Sequence, residues 1–387
     1  MAKLTIRDIA ALAGLSKSTV SLVLNNSPRV DPATRRHVLA VIRRHNYVPS
    51  FAATALAKGS TRLIGMIVPG LSWHMVASIN LGVAAVTERT GFDIILYTAT
   101  NDRDYGPVID RILTSSMSSG LLVVTDKQPM EPLVQLHRDG MPVVLVNTLG
   151  TRADLPSVTA DNYEGALDAV NYLISLGHER IACVQGMMEF LCCQDRYRGY
   201  LTALRTAGIQ PDPELTKPGE FNAETVRTRS RELFALPTRQ RPTAVFAHND
   251  VTAYSVMKAA ADSGLRVPED VSVIGFDDIE SSAQIHPPLT TIQQPFVEMG
   301  RRAAQLLMAA ISTADDRATS ALAGSDATEE DPTGMGGADT GPAGTGAADG
   351  TAPMQISMPT NLIVRGTCGP APVTKDRRSR PQAVAKA

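Results

Sequence analysis

The chain has 387 residues, 43 % of them hydrophobic and 20 % charged, with a formal net charge of -2; such a length suits about two to three domains, each able to bury its own core. No run of about 18 apolar residues occurs, which argues against a membrane-spanning helix, and the opening MAKLTIRDIA lacks a signal-peptide core, so a cytoplasmic, nucleoid-associated protein is expected. Cys183, Cys192, Cys193 and Cys368 show no C-x-x-C spacing, which argues against a zinc site or a disulfide framework.

The small net charge conceals an asymmetry. Residues 1–60 carry nine basic side chains against Asp8 and Asp31, whereas residues 313–352 carry eight acids against Arg317. A nearly neutral protein can therefore hold a basic head suited to a phosphate backbone, because that attraction depends on local charge.

Thr5 followed by Asp8 fits a capping box, opening a helix whose Ile6, Ile9, Ala10 and Ala13 share one face. Gly14 turns the chain at low steric cost, and Ser16 caps a second helix. Val20, Val23 and Leu24 face inward there, leaving Lys17, Ser18, Ser21, Leu22 and Asn25 outward. Asp31 before Pro32 starts a third helix with Val38, Val41 and Ile42 inward. Periodicity alone leaves open any small helical bundle. Ala10 where two helices must approach, Gly14 at the corner and the short polar residues after it favour a helix-turn-helix.

After Pro49, Ser50 can cap an alanine-rich segment, Phe51 to Lys58, that stops at Gly59. So short a helix is marginal alone, and a lone apolar Leu56 reads by itself as an ordinary linker residue. From Ile64 onward IGMIV, FDIILY, GLLVV, PVVLVN, RIACVQG, AVFAHND and VSVIGFDD alternate with helical stretches, about seven strands of a βα pattern that implies parallel sheets covered on both faces. Two lobes with a cleft beyond the strand C-termini are expected. Polar residues just after strands, Asp161, Asn249 and Asp277 among them, fall where that cleft should lie. Singly, each reads as a turn or helix cap.

The stretches T-I-R-D-I-A-x-x-A-G-x-S-x-S-T-V-S, N-Y-V-P-S-x-A-A-x-x-L, T-A-D-N-Y-x-G-A, L-G-H-E-R-I-A, D-R-Y-R-G-Y, H-N-D and G-F-D-D closely resemble the lactose and purine repressor family of bacterial transcription regulators, over nearly the whole chain. The resemblance implies an all-α helix-turn-helix head plus an α/β two-lobed effector domain like a periplasmic binding protein. It implies that Thr5, Ser16, Thr19, Ser21, Asn25 and Thr34 position the head on phosphates while Lys17, Ser18 and Leu22 face base edges. It further implies a hinge helix on DNA through Ala53 and Leu56, the latter wedged into the minor groove. For the effector it implies Asp161, Arg196, Asn249 and Asp277, with Trp73, His74 and Phe221 in cleft loops. The implied partners are a pseudo-palindromic double-stranded operator, a second copy of the chain, and a sugar or sugar derivative. Relatives often carry a polar or basic residue where this chain has Leu22, and Asn-Pro-Phe-Phe where it has Trp73 to Val76, so operator and pocket wall are its own.

The expected organisation is therefore a head over 1–48, a hinge over 49–60 and an effector domain over 61–312 with 353–366. A disordered acidic insert rich in Gly and Ala is expected over 313–352 and a flexible tail over 367–387. An enzyme or a transport binding protein on the same two-lobed fold is the alternative. Against the enzyme stand the lack of G-x-S-x-G, of a strand-linked G-x-G-x-x-G, of a P-loop and of metal-spaced His, so no cofactor or metal is expected.

Overall fold

The computed structural model describes residues 4–25, 27–47, 61–99, 106–115, 117–124, 131–147, 155–325 and 354–372. They belong to two compact units, one running to Leu63 with Met117–Ser119, the other holding the remainder.

The first unit contains helices α1 (Ile6–Ala13), α2 (Lys17–Leu24) and α3 (Pro32–Arg44). Thr5 and Asp8 form the expected reciprocal capping box, and the two bonds from Thr5 hold the Asp8 carboxyl below its ordinary range. Gly14 ends α1 in the left-handed region at φ 64°, where a side chain is strained. Ile9, Ala10, Ala13, Val20, Val23 and Val38 form the core, with Ile6, Leu24, Val41 and Ile42 half-buried against it. Ser16 caps α2 by accepting the Thr19 amide at 3.0 Å. Ser16→Ala should cost about 1 kcal/mol of local stability, read as faster hydrogen exchange at the Thr19 amide; unchanged exchange would count against the cap.

The second unit has two lobes. Its strands are β1 (Leu63–Val68), β2 (Asp93–Thr98), β3 (Gly120–Val124), β4 (Val143–Val146), β5 (Ser157–Ala160), β6 (Ile181–Gln185), β7 (Thr216–Pro218), β8 (Ala244–Ala247), β9 (Ser272–Ile274), β10 (Thr291–Gln293), β11 (Gln355–Met358) and β12 (Asn361–Ile363). The first lobe is a six-stranded sheet in the order β11-β5-β4-β3-β1-β2. Helices α4 (His74–Thr90) and α11 (Phe296–Ser325) cover one face, and α5 (Gly106–Ser115) and α6 (Glu131–Arg138) the other. Every residue of β3 is buried, as an apolar run covered on both faces requires. The second lobe is a four-stranded sheet in the order β7-β6-β8-β9. Its helices are α7 (Asn162–Ser175) and α8 (Leu191–Thr206) on one face, α9 (Ala223–Ala235) and α10 (Asp250–Asp262) on the other.

The lobes are joined where β5 leads to α7, where β10 leads to α11, and where β11 leads to β12. Residues on these crossings, Gln294 among them, are therefore placed beside the space between the sheets. Among the described residues no helix is long and apolar enough to cross a membrane.

Three expectations need correction. The final stretch QISMPTNLIVR, which reads from the sequence as one strand, is two: β11 adds to the first sheet beside β5, whereas β12 pairs antiparallel with β10. Pro359, which has no amide proton to donate, falls between them. Together with β5, β7 and β10, this raises the strand number above the seven expected. The disorder expected from residue 313 does not begin there, because α11 runs on to Ser325. Few large apolar residues meant no core, but an alanine-rich stretch can extend a helix already nucleated by its buried N-terminal half. Residues 326–352 lie outside the described residues. The tail expected from 367 is anchored to residue 371: the Thr367 hydroxyl accepts the Thr290 amide and donates to the Val273 carbonyl, and the Ala371 amide donates to Leu176. Residues 373–387, like the hinge 49–60, lie outside the described residues.

Candidate functional site

Between the two lobes lies a cavity of about 220 Å³. Trp73, His74 and Met75 reach it from the start of α4, Phe190, Cys192 and Arg196 from α8, and Asn249 and Val251 from the start of α10. Asn147, Phe221, Asp277 and Gln294 complete most of the wall. Helices that follow strands of parallel sheets present their N-termini at this end, so the fold itself gathers these residues.

Arg196 is buried and held on all sides. Its Nε donates to Asn162 Oδ1 at 2.9 Å, Nη1 donates to the His248 carbonyl, and Nη2 lies 3.6 Å from Asp277 Oδ1. The guanidinium also stacks 3.9 Å above the Phe276 ring. At 3.6 Å the contact with Asp277 is an ion pair and not a hydrogen bond. Burial pushes the Asp277 carboxyl upward, opposed first by Arg196, then by Gln294, whose Nε2 donates to Oδ1 at 2.6 Å, and by His74. Behind it, Asp250 accepts from Ser282 Oγ at 2.7 Å and the Ile279 amide at 2.9 Å, and burial and the Asp277 charge push its carboxyl above the ordinary range.

Two buried amide oxygens in the wall, Asn147 Oδ1 and Gln294 Oε1, have no hydrogen-bond partner among the described residues. Such groups cost free energy until a donor reaches them. Asn147, Phe221 and Asp277 also take φ of 67°, 54° and 121°, a region that favours glycine. Backbone held in this way costs free energy that the surrounding structure must offset. Trp73 meets Phe190 and Phe221 edge to face, at 5.9 and 6.5 Å between centroids, so the cavity has a cluster of aromatic rings in its wall besides its amides and charges.

Trp73, His74, Arg196, Phe221, Asn249 and Asp277 are thus brought together as expected from the sequence. Asp161 is not among the lining residues: its Oδ1 accepts the Glu164 amide at 3.0 Å as the cap of α7, which holds the carboxylate on its own helix. Asn249 caps α10 through the Thr252 amide at 2.8 Å, yet still borders the cavity. The sequence reading missed Asn147 and Gln294, although both follow a strand directly, and Phe190. Cys193 is fully buried, as an apolar cysteine should be, whereas its neighbour Cys192 reaches the wall.

In the head, Lys17, Ser18 and Leu22 are exposed on α2 and Asn25 just beyond its C-terminal end, with Leu22 39 % accessible. Ser21 is half-buried and accepts from Asn25 Nδ2 at 3.5 Å. Ser16 and Thr19 are hydrogen-bonded to each other at 2.8 Å, Thr5 caps α1, and the Thr34 amide is tied to Asp31. Ala53 and Leu56 lie outside the described residues.

Residues 5–50 match the description "Bacterial regulatory proteins, lacI family", and residues 170–324 match a periplasmic binding protein-like domain. The HTH-type transcriptional repressor CytR of Escherichia coli is 36 % identical over 305 residues, 79 % of this chain and 89 % of the relative. The chain belongs to the LacI family. The repressor PurR of Aliivibrio fischeri is 33 % identical over 312 residues, 80 % of this chain and 93 % of the relative. Among solved structures, a complex of the regulator CelR with cellobiose superposes with a TM-score of 0.64 at 28 % identity, covering 94 % of this chain and 99 % of that one. The Lac repressor dimer bound to operator and the anti-inducer ONPF gives 0.76 at 24 % identity, covering 95 % and 100 %, and shows the shared fold. A member of this family is a transcriptional regulator and not an enzyme, and the relatives CytR and PurR are repressors.

Proposed function

We propose that this LacI-family regulator represses transcription in the cytoplasm, at the nucleoid, by binding a pseudo-palindromic operator as a homodimer, and that a sugar or sugar derivative in the interlobe cavity controls its operator affinity. The observation that carries the ligand half is the gathering of Asn147, Gln294, Arg196, Asn249 and Asp277 with the rings of Trp73 and Phe221 around one interlobe cavity. Sugar hydroxyls hydrogen-bond with such amides and charged groups, and ring faces pack on aromatic side chains. Solved relatives hold cellobiose and ribose. Thr5, Ser16, Thr19, Ser21, Asn25 and Thr34 are proposed to meet phosphates, and Lys17, Ser18 and Leu22 base edges. Lys17 donates to guanine acceptors and Leu22 meets a thymine methyl. The hinge, through Ala53 and Leu56, is proposed to enter the minor groove.

The test is a titration against a palindromic site recovered by selection from random DNA. Affinity should fall steeply as salt rises, since phosphate contacts release counterions, and Leu56→Ala should weaken operator binding about tenfold, the loss of one wedge, while ligand binding stays at the wild-type level. Binding insensitive to both salt and sequence would reject the operator reading.

A further inference from the structure

In the cavity wall Trp73 of the first lobe meets Phe190 and Phe221 of the second. Trp73 and Phe190 stand on extended backbone. Phe221 does not: φ is 55° at Glu220 and 54° at Phe221, two consecutive residues in the region that favours glycine. The loop that carries them is tied at both ends. The Gly219 and Glu220 amides donate to the Gln185 carbonyl at the end of β6, at 2.8 and 3.2 Å, and the Asn222 amide donates to the Gly219 carbonyl at 2.9 Å. Asn222 in turn caps α9, its Oδ1 accepting the Glu224 and Thr225 amides at 3.0 Å. Main-chain bonds therefore fix the point from which the Phe221 side chain departs.

The ring needs a seat, and the residue directly after β6 supplies it. A Cβ on Gly186 would lie 2.2 Å from Phe221 Cζ, 2.6 Å from Phe221 Cε1 and 2.7 Å from Cys193 Sγ, all far inside van der Waals contact. Gly186 is not among the glycines with positive φ, so its backbone makes no demand for glycine. What the position requires is empty volume. Gly186 is buried and is not among the residues that line the cavity, so its influence there passes through Phe221. From this seat the Phe221 ring reaches Trp73 across the cleft, at 6.5 Å between centroids.

Resting on the reading of this cavity as the effector site, we propose that Gly186 is a positioning residue for it. Its missing side chain seats the Phe221 ring, and thereby sets the interlobe contact with Trp73 and the apolar surface against which a sugar ring packs. The nearest obstacle to a methyl group at Gly186 is the tip of a half-buried ring, which can swing aside; alanine there moves the ring and spares the fold.

Trp73 is the only tryptophan in the chain, so the long-wavelength edge of the near-ultraviolet circular dichroism reports its surroundings without any ligand. In the full-length protein Gly186→Ala should shift that band and change the acrylamide quenching of Trp73 emission, with cooperative melting retained. Ribose, glucose and cellobiose are then titrated by Trp73 emission. The sugar that the wild type binds most tightly should bind Gly186→Ala about tenfold more weakly, the usual effect of one methyl group misplaced in a pocket wall. Phe221→Ala separates a seat from a scaffold: adding Gly186→Ala to it should leave both ligand-free Trp73 signals where Phe221→Ala alone puts them, because the ring to be displaced is gone. If Gly186→Ala does not fold, combining it with Cys193→Ala removes the second obstacle, and that protein should fold and show the same signals. An unchanged Trp73 band, effects that add in the Phe221→Ala background, or failure of both variants to fold overturns the proposal. Silence of the wild type towards all sugars, with the ligand-free signals as expected, leaves the seat of Phe221 standing and removes the sugar reading alone.

Discussion

Gly82→Ala is expected to destabilise the first lobe by about 3 kcal/mol, the upper range for overpacking a close contact. A Cβ at Gly82 would lie 1.8 Å from the Val297 carbonyl oxygen and 2.7 Å from the Arg301 amide nitrogen, both main-chain atoms of α11. On the other side of the same contact, a Cβ at Gly300 would lie 2.1 Å from the Ile79 carbonyl oxygen of α4. The two helices therefore touch backbone to backbone through a pair of glycines. Neither can retreat cheaply, because Ile79 and Val83 of α4 and Met299, Ala303 and Leu307 of α11 are buried in one core over the six-stranded sheet. Helix propensity works in the opposite direction, since alanine is favoured over glycine by about 1 kcal/mol inside a helix; the clash decides the sign. Leu81→Ala, one residue away but 64 % exposed, should change stability by less than about 0.5 kcal/mol. Urea or thermal unfolding checks both, and a Gly82→Ala protein melting with the wild type would contradict the contact.

This contact was invisible in the sequence, where Gly82 and Gly300 look like ordinary helix interruptions. The head was legible because its signals are local: Thr5 with Asp8, Gly14, Ser16 and Asp31 each fix a boundary through a neighbour within a few residues. The wall of the cavity was legible in part for a similar reason, since polar residues directly after strands fall at one end of a parallel sheet. That rule cannot rank them. Asp161 and Asn249 both follow a strand and both cap the next helix by accepting from the residue three positions on. Only the fold decides that Asn249 also meets the cavity. Gln294 escaped notice because β10 is three residues long, too short for alternation to register, and Asn147 because a single asparagine after an apolar run reads as a turn. The extension of α11 beyond residue 312 was hidden by composition: few large apolar residues exclude a core but do not exclude a helix.

Arg196→Ala should abolish the ligand response, and the structure attaches a pH signature to that loss. Removing the guanidinium takes away the donors to Asn162 and the His248 carbonyl and the cation facing Asp277. Breaking a buried pair from one side costs about 3–5 kcal/mol when the remaining charge cannot escape. Asp277 can escape by binding a proton, since burial already raises its pKa and Arg196 is the main influence holding it down. Without Arg196 the folded-state pKa rises further above the unfolded value. A carboxyl raised in this way binds its proton more tightly when folded, so folding is favoured at low pH and the penalty grows as pH climbs past the unfolded pKa towards the folded one. The destabilisation caused by Arg196→Ala should therefore be smaller in mildly acidic than in alkaline buffer. Adding Asp277→Asn should restore much of the stability at alkaline pH without restoring the Trp73 fluorescence response to any sugar that moves the wild type. The head keeps its own core and caps, so operator binding of the single variant should survive. Thermal melts across pH, paired with Trp73 titrations, separate the two roles: equal destabilisation at all pH values would mean that Asp277 does not depend on Arg196, and an intact ligand response would remove Arg196 from the site.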